Sequence, residues 1–512
     1  MTQPRIYFGE LISKVNPDYA IVGNNGEPRE FDTADTPKYT YQGDAGVPLS
    51  NWFNRFAYAV KYTERNLLLS GAINEESKII YNRDPRDRVK KAAPWLTVDS
   101  KTYPAVMSDG SVKWIVDGYT TLDAFPYAQK TSLEDATTDA QQLNQGQTGR
   151  TQVNRQVSYV RNSVKATVDA YSGEVTLYQF DDKDPVLKTW MKVFPDSVKS
   201  RAEFDNAENA DLRDHVRYPE DLFKIQRQLL TKYHVTNPQT FFQGDAFWSV
   251  PADPTDSAAV TRGLDQPPYY FVASDPETKR PSFQLTSVFN VLKQEFLAAY
   301  VTVSSDPENY GQITIKNLPP NTQREGPKQV FSAMETDTRV AESRKNLENT
   351  ADVTFGNLLT LPVGNNGVLN VVPMYAQAKS TAGTFPRLVR VIVRYDDSSG
   401  QPPRVGYAPT VAAALAGVGI DPSSVTQIPG AESAPVVQPG TQPQQGQTPT
   451  PPPADGQSAV PPSPQRDAIV KRMDDALTAM QQALSAGNFT AYGQAQTDLQ
   501  AAVRDYENLP TA

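Results

Sequence analysis

Residues 421–465 hold 12 of the chain's 42 prolines, with Gln, Thr and Ser filling most of the rest and only three charged residues among them. Such a stretch has too little apolar surface to offset the entropy of ordering itself, and its prolines keep it extended and partly polyproline-II. Packing must therefore happen on one side of it or the other. The chain reads as a body over 1–420, a Pro/Gln-rich disordered linker over 421–465 and a tail over 466–512. In the tail, Ile469, Met473, Ala476, Leu477, Met480 and Leu484 face Ala491, Tyr492, Ala495, Leu499, Ala502, Val503 and Tyr506 across a break at Gly487-Asn488. That pattern predicts a helical hairpin on a Pro-rich tether.

The body mixes short apolar runs with helical periodicity, which predicts an α+β fold: mixed or antiparallel sheets with packed helices. Strands are expected at Arg5–Glu10, at Tyr19–Val22 closed by an Asn-Gly turn, at Lys113–Tyr119, in the Val168–Tyr178 hairpin, and at Leu358–Val363, Val368–Val372 and Leu388–Val393. Phe289, Leu292 and Phe296 read as a helix or mixed segment, and Val411–Ala416 as a short closing helix. Leu49–Leu69 reads as a helix whose broad apolar side is Trp52, Phe53, Phe56, Ala59, Val60 and Thr63. Residues 130–156 are rich in Gln and Thr and read as a flexible insertion. Asp181–Pro185 lacks the ligand spacing of a calcium loop and reads as a solvated turn.

Two patterns raise the question of function. Lys113-x-x-Val116-Asp117-x-Tyr119 returns as Lys165-x-x-Val168-Asp169-x-Tyr171. Two hairpins whose Asp and Tyr fix the turns account for it most simply, with duplicated subdomains and matched ligand sites as the other readings. The second pattern lies in Asp211–Val250, which holds both histidines. Tyr218-Pro219-Glu220-Asp221 marks a helix start, with Leu222, Ile225, Leu229 and Tyr233 on the apolar face and Lys224, Arg227 and Lys232 on the other. At ~1.5 Å per residue that helix holds His215 and His234 more than about 20 Å apart. A shared metal is excluded unless the chain folds back. His215, Arg217, Glu220 and Asp221 are the candidate ligand-binding group, set against a plain helix cap with ion pairs. His234 reads as a packed imidazole at the helix end.

The remaining chemistry is narrowed by what the chain lacks. With no cysteine there is no thiol catalysis, disulfide or zinc-thiolate site. Neither histidine lies in a nucleophile context, and no Gly-rich phosphate loop occurs, so no catalytic residue, metal or cofactor is assigned. A net charge of -9 argues against nucleic acid as a partner. No apolar run is long enough to cross a bilayer and no signal peptide opens the chain, which reads as soluble.

Several segments carry a resemblance: RIYFGE, NLLLSGAINEESKIIYNRDPRDRV, KAAPWLTVD, WIVDGYTTLDAFPYAQ, HVRYPEDLFKIQ, YHVTNPQTFFQGDAFW, GNLLTLP and PRLVRVIV. In combination the chain resembles the extracytoplasmic region of an uncharacterised integral membrane protein family of actinobacteria and cyanobacteria. It departs from that family at Asn370-Val371-Val372-Pro373, where the family tends to carry Tyr and Glu beside the proline. The resemblance implies a multi-pass protein of the cell membrane whose spanning helices precede this region, with Met1 as a truncation point. It also implies three classes of partner: the membrane-spanning region itself, a second copy of the chain, and cell-envelope components. The function expected is a non-catalytic extracytoplasmic domain. The alternative is a hydrolase or transferase acting on envelope glycans or lipids, which would need a cleft with paired carboxylates flanked by aromatics.

Overall fold

The structure is a computed structural model. It describes residues 3–10, 18–23, 28–30, 38–143, 151–274, 281–318, 323–363, 367–379, 385–397 and 399–421, and beyond these only single helical positions between 468 and 505. The Asn-Gly turn after Val22 and the linker past Asp421 lie outside the described residues. The chain divides into two compact units, Met1–Val436 and Val437–Ala512. In the second unit the described positions are helical, and Arg472 reaches Asp505 at 2.7 Å.

The first unit is α+β; among the described residues it has three larger antiparallel sheets, besides a three-stranded and a two-stranded one. The first sheet orders Thr97–Val106, Val112–Leu122, Tyr159–Asp169 and Val175–Gln179 as a meander. Its last hairpin is the expected one. Asp169 accepts from the backbone N–H groups of Tyr171 and Ser172 (2.9 and 2.7 Å), and Gly173 takes φ +71° with the Phe8 ring where a Cβ would stand. One face packs Val98, Val116, Val164, Ala166 and Leu177 on Val89 and Leu187 of two flanking helices. The other packs Tyr103, Ile115 and Tyr178 on Phe204, Leu212 and Val216.

The second sheet pairs Pro281–Val291 with Leu297–Ser304 and then Ile313–Asn317, with Tyr269–Ser274 and Trp248–Ser249 on its other edge. The segment around Phe289 is thus strand, because Leu285, Phe289, Val301 and Val303 share a face buried under Phe223. The third sheet orders Ala351–Phe355, Gly367–Ala378, Arg387–Asp396 and Arg404–Ala408, with Leu359–Val363 on the second of these. Helices Pro327–Glu335 and Val411–Gly417 cover its two faces.

Four expectations are corrected. Arg5–Glu10 forms no strand: Tyr7 and Phe8 instead donate to the Ala170 carbonyl (2.8 and 3.0 Å). The Asp181–Pro185 turn is solvated at Asp182 and Lys183 but not at Asp184. Asp184 is fully buried, caps helix Pro185–Val193, and accepts from Thr120 Oγ1 (2.6 Å), Ser163 Oγ (2.5 Å) and Tyr159 OH (2.8 Å). Residues 130–156 are no loose insertion where described. Helix Leu133–Thr137 buries Leu133 and Ala136, with Val157, against Ile225. The Leu49–Leu69 segment is not one helix: it is helical over Trp52–Tyr62, stops at Thr63 in the left-handed region, and resumes as the short helix Asn66–Leu69. Of its expected apolar side only Ala59 is buried, while Trp52, Phe53, Phe56 and Val60 stay exposed.

Candidate functional site

Helix Glu220–Tyr233 runs between the first two sheets and is enclosed on most sides. Its start follows the predicted signal, with Pro219 at the N-cap and Glu220 and Asp221 in the first turn. Its faces do not follow the prediction. Lys224 and Arg227 are buried rather than solvent-facing, and Tyr233 is 54% exposed. The charges are buried because each finds partners. Lys224 meets Asp139 at 2.5 Å and Glu220 at 2.9 Å, and Arg227 donates to the Gln266 carbonyl and Ser287 Oγ (2.8 and 3.1 Å).

At the N-terminus of this helix lies a cavity of about 560 Å3. Its walls come from the first sheet (Asp99, Lys101, Tyr103, Asp117), from Arg217, Pro219 and Glu220, from Pro268–Tyr270, and from Gly356, Asn357, Pro373 and Tyr375 of the third-sheet region. The Arg217–Tyr218 backbone is held rigidly at its rim. The Arg217 N–H donates to Tyr103 OH (2.9 Å), its carbonyl accepts from Lys165 Nζ and Tyr310 OH (3.1 and 2.9 Å), and the Tyr218 carbonyl accepts from Tyr270 OH (2.5 Å). The Arg217 guanidinium stands over the Tyr103 ring at 4.2 Å and the Tyr270 ring at 5.4 Å. It has no carboxylate partner among the described residues, so it is a fixed cation with unused donors.

The carboxylates differ in how they are held. Asp117 pairs with Lys165 directly across two neighbouring strands, both fully buried. Burial pushes Asp117 up and Lys165 down, and their mutual attraction opposes both shifts. Burial also raises Glu220, but Lys224 and Lys101 outweigh it and leave the group below its usual range. Lys101 sits 2.7 Å from Glu220. Among the described residues Asp99 has no cation of its own. Burial, then the charges of Asp221 and Asp117, drive it well above the usual carboxylate range, against the hydrogen bonds from Tyr119 OH and the Lys101 N–H (2.8 Å). Beneath it, Asp221 accepts from Ser100 N and Oγ (2.7 and 2.8 Å) and from Gln152 Nε2 (2.7 Å).

The four residues singled out from the sequence separate here. Arg217 and Glu220 line the cavity, and Asp221 lies under Asp99 through its N–H (3.2 Å). His215 is not part of the cavity lining. It closes the short helix Ala210–Asp214, with Nδ1 2.8 Å from the Asp211 carbonyl. His234 caps the helix end and stacks on Trp248 at 3.4 Å. No group of three or more His, Cys, Asp or Glu able to hold a metal occurs among the described residues. Asp99 and the tyrosines had no signal in the sequence, and Asp117 and Lys165 entered only as members of the repeated Lys/Asp pattern. In antiparallel register Lys113 faces Asp169 and Asp117 faces Lys165. The first copy is therefore a mid-strand ion pair, not a turn.

The family model described as "Uncharacterised protein family (UPF0182)" matches residues 1–347. A UPF0182 protein of Rhodococcus jostii is 51% identical over 99% of this chain and 50% of its own length. One from Nocardia farcinica is 50% identical over 99% of the chain and 51% of its own, and one from Corynebacterium glutamicum is 48% identical over 99% and 50%. The chain thus spans about half the length of the curated relatives it matches. No solved structure matches it.

Proposed function

The chain belongs to the uncharacterised protein family UPF0182, and from that membership we propose that it is the extracytoplasmic, non-catalytic part of a multi-pass membrane protein, capturing a ligand of the cell envelope in the cavity beside Arg217. The ligand pairs an anionic group, carboxylate or phosphate, with a hydroxyl-bearing body such as a sugar. One observation carries this reading. Arg217 lines the cavity, is locked against Tyr103 and Tyr270, and has no carboxylate partner among the described residues. An unpaired guanidinium with its backbone clamped is pre-organised for a bidentate anion, and tyrosine faces and Asn357 suit a hydroxyl-rich body. Support for a membrane-spanning remainder is the half-length match, which leaves as much polypeptide again in the relatives. No helix among the described residues is long and apolar enough to cross a membrane.

The test is isothermal titration of the purified chain with a hexose 1-phosphate, a hexuronate and a neutral hexose. An anionic sugar binds, the neutral one does not, and Arg217→Met weakens binding by roughly tenfold or more, about 1.4 kcal/mol. Equal binding to Arg217→Met, or no binding of either anion, sinks the reading.

The hydrolase or transferase reading also has an observation in its favour: three carboxylates and four tyrosines line one cavity. Two-carboxylate chemistry needs an acid and a free base or nucleophile. Asp99, held toward its protonated form, fits the acid. Asp117 and Glu220 are each committed to lysines, which leaves no free base, and binding is the better account.

A further inference from the structure

Helix Trp52–Tyr62 is turned inside out relative to an ordinary surface helix. Its inner face is made of Ala59 and the half-buried Tyr58 and Tyr62, packed on Leu49, Leu67 and Ile79. Its outer face carries Trp52, Phe53, Phe56 and Val60, exposed by 68%, 71%, 43% and 63%. Spacings of one, four and eight residues put all four on one side of the helix. Trp52 and Phe56 stack on each other at 5.2 Å and 13°, so the patch is a formed surface of two parallel rings. Just beyond the helix Leu69 is 77% exposed. Isolated exposed apolar residues need no explanation, but a contiguous aromatic face does.

We propose that this face is a membrane-surface contact that lies in the headgroup region of a bilayer bearing anionic lipids. Charge argues for that occupant. The whole chain is acidic, at -9. The segment from Asn51 to Leu69 is the reverse, with Arg55, Lys61 and Arg65 against Glu64. Arg55 is turned inward and donates to the Leu49 and Ile73 carbonyls (2.6 and 3.2 Å), so it stays with the fold. Lys61 and Arg65 are exposed, Lys61 with its ammonium 4.3 Å above the Tyr81 ring. An aromatic face led by Trp and flanked by exposed cations is the composition of an interfacial helix, and anionic headgroups are the charge complement that this acidic chain otherwise repels. The inference does not depend on the ligand assigned to the cavity.

The test is flotation of the purified chain with vesicles of phosphatidylglycerol and phosphatidylcholine, against vesicles of phosphatidylcholine alone. The chain floats with the anionic vesicles, less so at high salt. The double variant Trp52→Ser/Phe56→Ser lowers the bound fraction by roughly tenfold. Both side chains are exposed, so the variant keeps the thermal transition of the wild type, which a circular dichroism melt checks. A second readout follows Trp52 itself: vesicles blue-shift the emission of the wild type, and Trp52→Phe loses that shift. Absence of flotation with either vesicle overturns the proposal, and so does equal binding by the double variant. A concentration-dependent dimer that the double variant abolishes assigns the face to a second copy and overturns it as well.

Discussion

Asp99 is the residue in which the cavity's electrostatics concentrate. It is 2% exposed, it has no lysine or arginine partner among the described residues, and Asp221 and Asp117 both push against its charge. An unfolded aspartate releases its proton near pH 4, whereas the folded protein keeps this one to a higher pH. Between those two values the folded state binds more protons than the unfolded state, so Asp99 makes stability fall as pH rises through that window. Asp99→Asn cannot ionise and removes this contribution. In urea titrations from about pH 4 to about pH 8, the variant gains on the wild type as pH rises. Parallel profiles would show that Asp99 is charged in the folded protein. Taking the difference between the two proteins cancels Glu220, whose depressed pKa works the other way: its stabilisation is present at neutral pH and lost on acidification. At this scale the sequence is legible only where local chemistry marks a residue. The Pro219 helix start gathers Arg217, Glu220 and Asp221, of which the first two line the cavity and the third lies beneath Asp99. Asp117 stands in an apolar strand run beside Val116, and only the register with Tyr159–Asp169 reveals that Lys165 faces it, while Asp99 falls in the irregular stretch between Val98 and Thr102 where its strand has no register partner.

Elements are legible to the extent that their neighbours are local. The Glu220–Tyr233 helix starts where the Pro219 signal says, and the last strands fall where their apolar runs lie. Which face of an element is buried depends on partners distant in sequence. Periodicity puts Lys224 and Arg227 outside, because a lone helix solvates its charges. Asp139 and Gln266, brought from elsewhere in the chain, let them go inside. The opposite error occurs at Trp52–Tyr62, where apolar spacing implies burial and the fold supplies no cover. The two readings of the central helix separate by mutation. Arg227 is fully buried, so Arg227→Ala opens a cavity and strips donors from Gln266 and Ser287, at a cost of about 3 kcal/mol or more. On a solvent-facing side the same change would cost within about 0.5 kcal/mol, as Lys232→Ala should. Guanidinium denaturation of both variants decides it, and a small loss for Arg227→Ala would return that side of the helix to solvent.

At the scale of the whole molecule the α+β class follows from pattern, but the cavity does not. It is made where strands of all three sheets converge on one helix start, and Lys101, Arg217 and Tyr375 have no common signal in one dimension. Composition is more informative about independence. A Pro/Gln-rich stretch transmits little packing, and the division of the chain into Met1–Val436 and Val437–Ala512 falls within it. Every residue lining the cavity, and every partner named for those residues, belongs to the first unit. A chain ending at Val436 is therefore expected to unfold in one cooperative step within about 2 °C of the corresponding transition of the full chain, and to bind an anionic sugar with the same affinity. Calorimetry and titration of the two proteins side by side measure both. A large drop in the transition would mean that the tail is part of the fold of the body. An unchanged transition with lost binding would mean that residues past Val436 contribute to the ligand site, and the assignment of that site to Arg217 and its tyrosine clamp would have to be given up in its present form.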